Sequence, residues 1–301
     1  MHRIRTSWRK NRREWLTFLA FVAPNFIIFA VFTYWPIIYS FYLSFVRWNF
    51  LTPNKQAVGM RNYVRLMQDD NFWEVLGNTL LYAVSVVLIA QALAFLLALL
   101  LNRRVKGQPF FRTVSFTPHI TTTAAAALVF VLLLDPKLGP LSHVYNFLSI
   151  QGPRFLASTT LAIWAIIIVG IWKEIGFASV FFLAGLQGIN QEYYEAARVD
   201  GAKPFAILRH ITVPLMAPVI FFLMVSGFIQ ATKVFDLVAI MTEGGPVYPS
   251  SSTYAYHLYQ LAFRNFRAGY ASAFAIIFFI GVMAVTLFQL KYSKRWVDYE
   301  E

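Results

Sequence analysis

Four ionisable side chains lie inside otherwise apolar stretches of this 301-residue chain: Lys173, Glu174, Lys233 and Asp236. In a bilayer each costs several kcal/mol unless it is paired or hydrated, so each marks a candidate working site. Two readings are open. The charges pair between helices, or they line a polar cavity. Trp172, Ser226 and Gln230 lie close by in sequence. They add an aromatic face and neutral hydrogen-bonding groups, a set that suits a hydroxyl-rich molecule such as a sugar. Lys173 and Glu174 are adjacent, so on a helix they point about 100° apart and need not pair with each other. Lys233 and Asp236 are three apart, which on a continuous helix puts both on one face.

Other chemistry is missing from the sequence. It holds no G-x-x-x-x-G-K-[ST] phosphate loop, so ATP hydrolysis is not expected in this chain. It holds no H-E-x-x-H metal spacing and no G-x-S-x-G nucleophile elbow. Without cysteine there is no disulfide framework or thiol nucleophile. No catalytic, metal-binding or cofactor-binding residue is therefore assigned. His119, after Pro118, is read as a partner in a helix–helix hydrogen bond rather than a proton relay.

The elements that must carry these residues are membrane helices. The chain is 58% hydrophobic and 13% charged, about half the charge of an ordinary soluble domain. Six apolar runs emerge, at 15–45, 76–101, 113–134, 160–186, 212–241 and 270–290. Each is long enough to cross about 30 Å of hydrocarbon. The reading is an all-α polytopic protein with one permease-like domain over 15–291, a basic N-terminus at 1–14 and a tail at 292–301. Pro36, Pro118 and the Pro214/Pro218 pair are expected bend points. The basic N-terminus precedes a run too long for a signal peptide, so the first helix reads as retained.

The formal charge of +12 could suggest nucleic acid in a soluble protein, but here it sits in the short segments between apolar runs. Sixteen lysines and arginines fall on the side of the N-terminus, against eight on the other. The positive-inside rule places both termini in the cytoplasm. On the far side, 59–79 suits a short interfacial helix, and 242–254 is turn-rich around Gly-Gly-Pro.

The segment 192–205, "EYYEAARVDGAKPF", is polar and lies between the fourth and fifth runs, on the N-terminal side. Ala196 and Ala197 favour helix, Gly201 can end it, and Pro204 suits the first turn of another. Spacing alone describes an ordinary interfacial loop helix. The segment also resembles the EAA motif of importer-type ABC transporter permeases. The matching positions are Glu195, Ala196, Ala197, Gly201, Ile211 and Pro214, within "YEAARVDGA" and "FAILRHITVPLMAP". The stretches 62–79, 171–189, 235–246 and 262–273 are similar to the carbohydrate-importer branch, the first permease of maltose and glycerol-3-phosphate systems.

This resemblance implies a type I importer permease with six transmembrane helices in the bacterial cytoplasmic (inner) membrane. It implies that the elbow at 192–210, with Glu195, Ala196, Ala197, Asp200, Gly201, Ala202 and Pro214, docks into a cytoplasmic ATPase. It further implies a second homologous permease, an ATP-binding cassette ATPase dimer that binds ATP and Mg, and a periplasmic or lipid-anchored solute-binding protein. The solute would be a di- or oligosaccharide or glycerol-3-phosphate, carried inward by alternating access. The chain lacks the extra N-terminal helices and large periplasmic insert of the maltose version, so maltose itself does not follow. The rival reading is an ion-coupled secondary transporter that uses the intramembrane charges.

Overall fold

The computed structural model describes residues 8–102, 107–150 and 152–293. Residues 1–7, Arg103, Arg104, Lys106 and the tail from 294, all used above for orientation, lie outside the described residues. The elements in chain order begin with α1 (Trp8–Phe29), a π-helical turn (Ala30–Tyr34) and α2 (Trp35–Ser44). A two-stranded hairpin, β1 (Val46–Arg47) and β2 (Gln56–Ala57), leads to α3 (Arg61–Met67). Then come α4 (Asp70–Leu101), α5 (Gln108–Ile120), α6 (Thr123–Leu133), α7 (Pro140–Phe147) and α8 (Leu161–Gly188). They are followed by α9 (Gln191–Val199), α10 (Pro204–Ile207), a second π turn (Leu208–Thr212), α11 (Val213–Leu215) and α12 (Ala217–Ala231). The chain continues through α13 (Asp236–Met241), α14 (Tyr254–Tyr259), a third π turn (Gln260–Arg264) and α15 (Ala268–Ser293).

Four helical stretches are long and apolar enough to cross a membrane: Glu14–Ser44, Asp70–Leu101, Leu161–Gly188 and Ala268–Tyr292. Two bent pairs, Gln108–Ile120 with Thr123–Leu133 and Pro204–Leu215 with Ala217–Ala231, raise the number to six if each is one span. The third and fifth spans are thus broken rather than continuous. The third turns through 97° at Thr121 and Thr122, which both adopt extended backbone. The fifth turns through 62° at Met216, between Pro214 and Pro218, and its helix stops at Ala231, ten residues short of the expected 241. Pro36 produces no break. It has no N–H to bond the carbonyl of Phe32, and the π turn at Ala30–Tyr34 absorbs the mismatch.

The chain forms two compact units. The first comprises residues up to 66 and 261–277. Its hairpin is tied down by Asn62 Nδ2, which donates to the carbonyls of Ser44 (2.8 Å) and Val46 (3.1 Å). The Tyr63 hydroxyl donates to Ser44 Oγ at 2.7 Å. Large apolar side chains along the first span, such as Phe21, Phe26 and Phe32, are exposed, as expected where the solvent is hydrocarbon.

The second unit comprises residues 67–260 and those from 278. Its core is α4 against α8. Tyr82, Val86 and Val87 pack with Ile163, Ile166 and Ile167 toward one end. Ala94 and Ala98 meet Phe182 and Leu186 toward the other. Alanines let the two backbones approach, the usual arrangement where lipid removes the hydrophobic drive for helix association. Gly176 does the same for α5. A Cβ there would run into the Ser115 carbonyl and lie 3.3 Å from Phe116 Cα.

Candidate solute cavity and docking elbow

A cavity of about 260 Å³ opens among α4, α8, α12 and the link to α13. Its polar lining is Tyr82, Thr123, Lys173, Glu174, Gln230, Lys233 and Asp236. Each charged residue has a distinct setting. Lys173 Nζ donates to the carbonyls of Thr121 (2.6 Å) and Pro118 (3.1 Å). These acceptors end α5 at the 97° bend, where the helix has left carbonyls without intrahelical donors. The cation also sits at the negative end of that helix. The Glu174 carboxylate is within electrostatic reach of Tyr82. Across Gly227 it is flanked by the Gln91 amide, the two lying 3.9 and 3.6 Å from where a Cβ on that glycine would be.

Lys233 and Asp236 do not share a helical face. α12 ends at Ala231, the amides of Lys233 and Val234 turn back to Gln230 and Ala231, and Asp236 opens α13. The three-residue spacing argument required a continuous helix, which the chain does not form there. No ion pair joins the two among the described residues. Trp172 does not line the cavity. It packs edge-on against Phe130 at 5.3 Å. Ser226 Oγ donates to the carbonyl of Phe222 at 2.7 Å, its own helix's backbone. His119 stacks on Phe177 with ring centroids 4.7 Å apart, in place of the hydrogen bond expected for it.

The elbow is built from α9 and α10. Asn190 Oδ1 caps α9 by accepting from the Glu192 amide at 3.1 Å. At the other end the amide of Gly201 donates to the Arg198 carbonyl (3.1 Å) and that of Ala202 to the Ala197 carbonyl (2.9 Å). This double closure needs a left-handed residue between helix and exit, and Gly201 sits at φ +76°. Its open setting, with nothing within 4 Å of a would-be Cβ, shows that backbone conformation alone selects glycine. The spacing from Ala197 to Gly201 is therefore the spacing of a helix stop. Glu195, Ala196 and Asp200 are exposed, while Ala197 and Ala202 are half-buried. Tyr194 and Thr212 hydroxyls meet at 3.4 Å, fastening α9 to the π turn that leads through Pro214 into the fifth span.

Residues 90–298 match the family described as binding-protein-dependent transport system inner membrane component. The chain belongs to this family. It is 33% identical over 288 residues to the probable ABC transporter permease protein YurN of Bacillus subtilis, covering 94% of this chain and 98% of that one. It is 32% identical to the trehalose/maltose transport system permease protein MalF of Thermococcus litoralis, over 96% and 97% of the two chains. To the sn-glycerol-3-phosphate transport system permease protein UgpA of Agrobacterium fabrum it is 30% identical, over 92% and 94%. Among solved structures it superposes on a chain of a bacterial ABC transporter involved in the import of the acidic polysaccharide alginate. That match has a TM-score of 0.83, 27% identity and coverage of 96% of this chain and 98% of that one. The chain is thus the permease subunit of an ABC importer, not an enzyme.

In the permease, the loop after α13 is fixed to the wall of the cavity. Thr253 Oγ1 donates to the carbonyl of Val234 at 2.8 Å. The Tyr254 amide donates to Thr79 Oγ1 at 2.8 Å, and Asn78 Nδ2 to the carbonyls of Pro249 and Ser250, both at 3.2 Å. Within the loop His257 Nδ1 meets the Tyr248 hydroxyl. Burial holds the His257 imidazole down at about 4, with the Asp69 carboxylate opposing. Sequence reading missed Tyr82, which lines the cavity, and Gln91, which borders Glu174 across Gly227. A tyrosine and a glutamine inside the second apolar run were the available signal. It also missed Val199 and Phe205, apolar side chains left largely exposed on the elbow.

Proposed function

We propose that this permease moves a neutral, hydroxyl-rich solute, a di- or oligosaccharide, inward through the cavity between α4, α8 and α12. The observation that carries this reading is the convergence of Glu174, Gln230, Lys233 and Asp236 with Tyr82 on one cavity. Lys173 is committed to the carbonyls at the α5 bend. The lining thus balances two carboxylates against two ammoniums, one of them held at the bend. An anionic solute such as glycerol-3-phosphate or a uronate would need surplus cation there, whereas sugar hydroxyls can donate to the carboxylates and accept from Gln230 and Tyr82. The trehalose/maltose relative fits this balance better than the phosphate- and alginate-handling ones.

The family membership supports a fuller reading of the machine. A separate ATPase dimer binds ATP and Mg, and the elbow at 192–210 seats in it through Glu195, Ala196, Ala197, Asp200, Gly201 and Ala202, with Pro214 carrying the motion into the fifth span. A second homologous permease completes the pathway, and a periplasmic or lipid-anchored binding protein delivers the solute to the far-side loops. Residues 15–291 act as one permease domain in a bacterial inner membrane, with both termini in the cytoplasm. Alternating access is a two-state equilibrium that ATP and the loaded binding protein bias in turn.

The test is uptake by the complex in proteoliposomes. Labelled trehalose or maltose should enter, whereas glycerol-3-phosphate should not. Glu174→Gln and Gln230→Ala should each cut uptake about tenfold or more while leaving basal ATP hydrolysis in place, the scale expected for a lost charged or paired hydrogen bond. Wild-type uptake by both variants would remove the cavity from the solute path.

A further inference from the structure

A second cavity, of about 180 Å³, lies where α4 ends, α5 begins and α8 ends. Leu101, Leu183 and Ala184 supply its apolar wall, and Arg112, Ser179 and Gln187 its polar groups. It shares no residue with the solute cavity. Arg112 Nε is buried and has no hydrogen-bond partner among the described residues. A guanidinium donor withdrawn from water without an acceptor is costly, and no carboxylate lines the cavity to supply one. Ser179 Oγ is occupied, donating to the Gly176 carbonyl at 2.9 Å.

We infer that this cavity holds the phosphate of an anionic phospholipid on Arg112. The depth is right. Leu101 is the last residue of α4 and Gln187 the penultimate residue of α8, so the cavity is at the level of headgroups rather than at the bilayer midplane. The face is right as well. Phe110, Phe111 and Val114, flanking Arg112 on α5, are exposed apolar side chains suited to acyl chains. The charge is right, because basic crevices between transmembrane helices on the cytoplasmic side recognise anionic headgroups. Guanidinium and phosphate form the bidentate pairing that would satisfy Nε together with a terminal nitrogen. The inference is independent of which solute the permease carries.

The test uses the assembled transporter in nanodiscs of phosphatidylcholine alone or with phosphatidylglycerol, followed by native mass spectrometry of retained lipid. Wild type should retain phosphatidylglycerol about fivefold over phosphatidylcholine, whose choline cation offsets the charge of the same phosphate, the scale set by one basic residue at an anionic surface. Arg112→Gln should lose that preference, Arg112→Lys should keep part of it, and millimolar inorganic phosphate should not compete. Equal retention of the two lipids by wild type overturns the inference and is the result expected if the second permease covers the cavity. Unchanged preference in Arg112→Gln also overturns it. Full competition by inorganic phosphate would make the site one for a soluble phosphate and not for lipid. If Arg112→Gln fails to assemble, the wild-type lipid comparison and Arg112→Lys still decide.

Discussion

Lys173 on α8 donates to the carbonyl of Thr121 at 2.6 Å, fifty-two residues earlier in the chain. The contact joins an unbroken span to the corner of a broken one. It converts an intramembrane charge into a helix cap for the 97° bend. Lys173→Met should therefore lower assembly yield and thermal stability by about 1 kcal/mol, the scale of one intramolecular hydrogen bond lost at acceptors that are exposed or only partly buried. Lys173→Arg should recover much of it. Thermal unfolding of the detergent-solubilised complex reads the effect. Wild-type stability in Lys173→Met would show that the bend holds itself.

Gly201 at φ +76° predicts a graded series. Gly201→Asn should be mild, Gly201→Ala should cost about 1 kcal/mol, and Gly201→Val more, since β-carbons are disfavoured in that conformation. Coupling should fail before folding does. Solute-stimulated ATP hydrolysis should fall across the series, with Glu195→Lys giving a comparable loss at normal protein yield. Full stimulation in both Gly201→Val and Glu195→Lys would rule out the elbow as the docking element.

Lys233 and Asp236 make no ion pair with each other among the described residues. Neither Lys233→Met nor Asp236→Asn should reduce assembly, in contrast to the ~3–5 kcal/mol lost when one partner of a buried pair is removed. Uptake should fall in each, and the double variant should not restore it. Restored uptake in the double variant would reinstate a pair.

His257 gives a pH dependence with a fixed sign. Its folded value of about 4 lies below the ordinary histidine value near 6.5. Between those limits the unfolded chain takes up a proton that the folded chain refuses, so stability falls as pH drops through that window. The loss is on the order of 3 kcal/mol across the window at about 1.4 kcal/mol per unit. Stability should level off again below pH 4. His257→Gln should flatten the slope between pH 6.5 and 4. An equal slope in that variant would assign the titration elsewhere.

Orientation is tested with introduced cysteines, because the chain has none of its own. In intact cells an impermeant thiol reagent should label Lys137→Cys but not Lys203→Cys. The reverse pattern would invert the topology.

Much of this was readable from residue order. Apolar run length located every span, because hydrocarbon thickness imposes it. The spacing from Ala197 to Gly201 was also readable, because a helix stop is a local event. What escaped depended on contacts distant in sequence. The third span breaks at Thr121 and Thr122, three residues beyond Pro118, where the Lys173 ammonium donates to the carbonyls of Pro118 and Thr121. The fifth span stops at Ala231 although its apolar run continues, since Thr253 holds the Val234 carbonyl from outside the helix. Tyr82 reaches the cavity, and Gln91 the side of Glu174, only because α4 and α8 pack face to face, which no periodicity within either run reveals.

The π turn at Leu208–Thr212 carries one residue more than an α-helical turn would. Deleting a single residue there would let the segment rewind into ordinary helix without a gap. The fifth span would keep nearly the same face toward α4 and α8, because a π turn fits its extra residue into about one turn of rotation, whereas a deletion in the ordinary helix beyond it would re-phase the following residues by about 100°. The wide turn thus works as slack between the elbow and the span that follows it, and a loss of one residue would be tolerated more readily in these five positions than within α12.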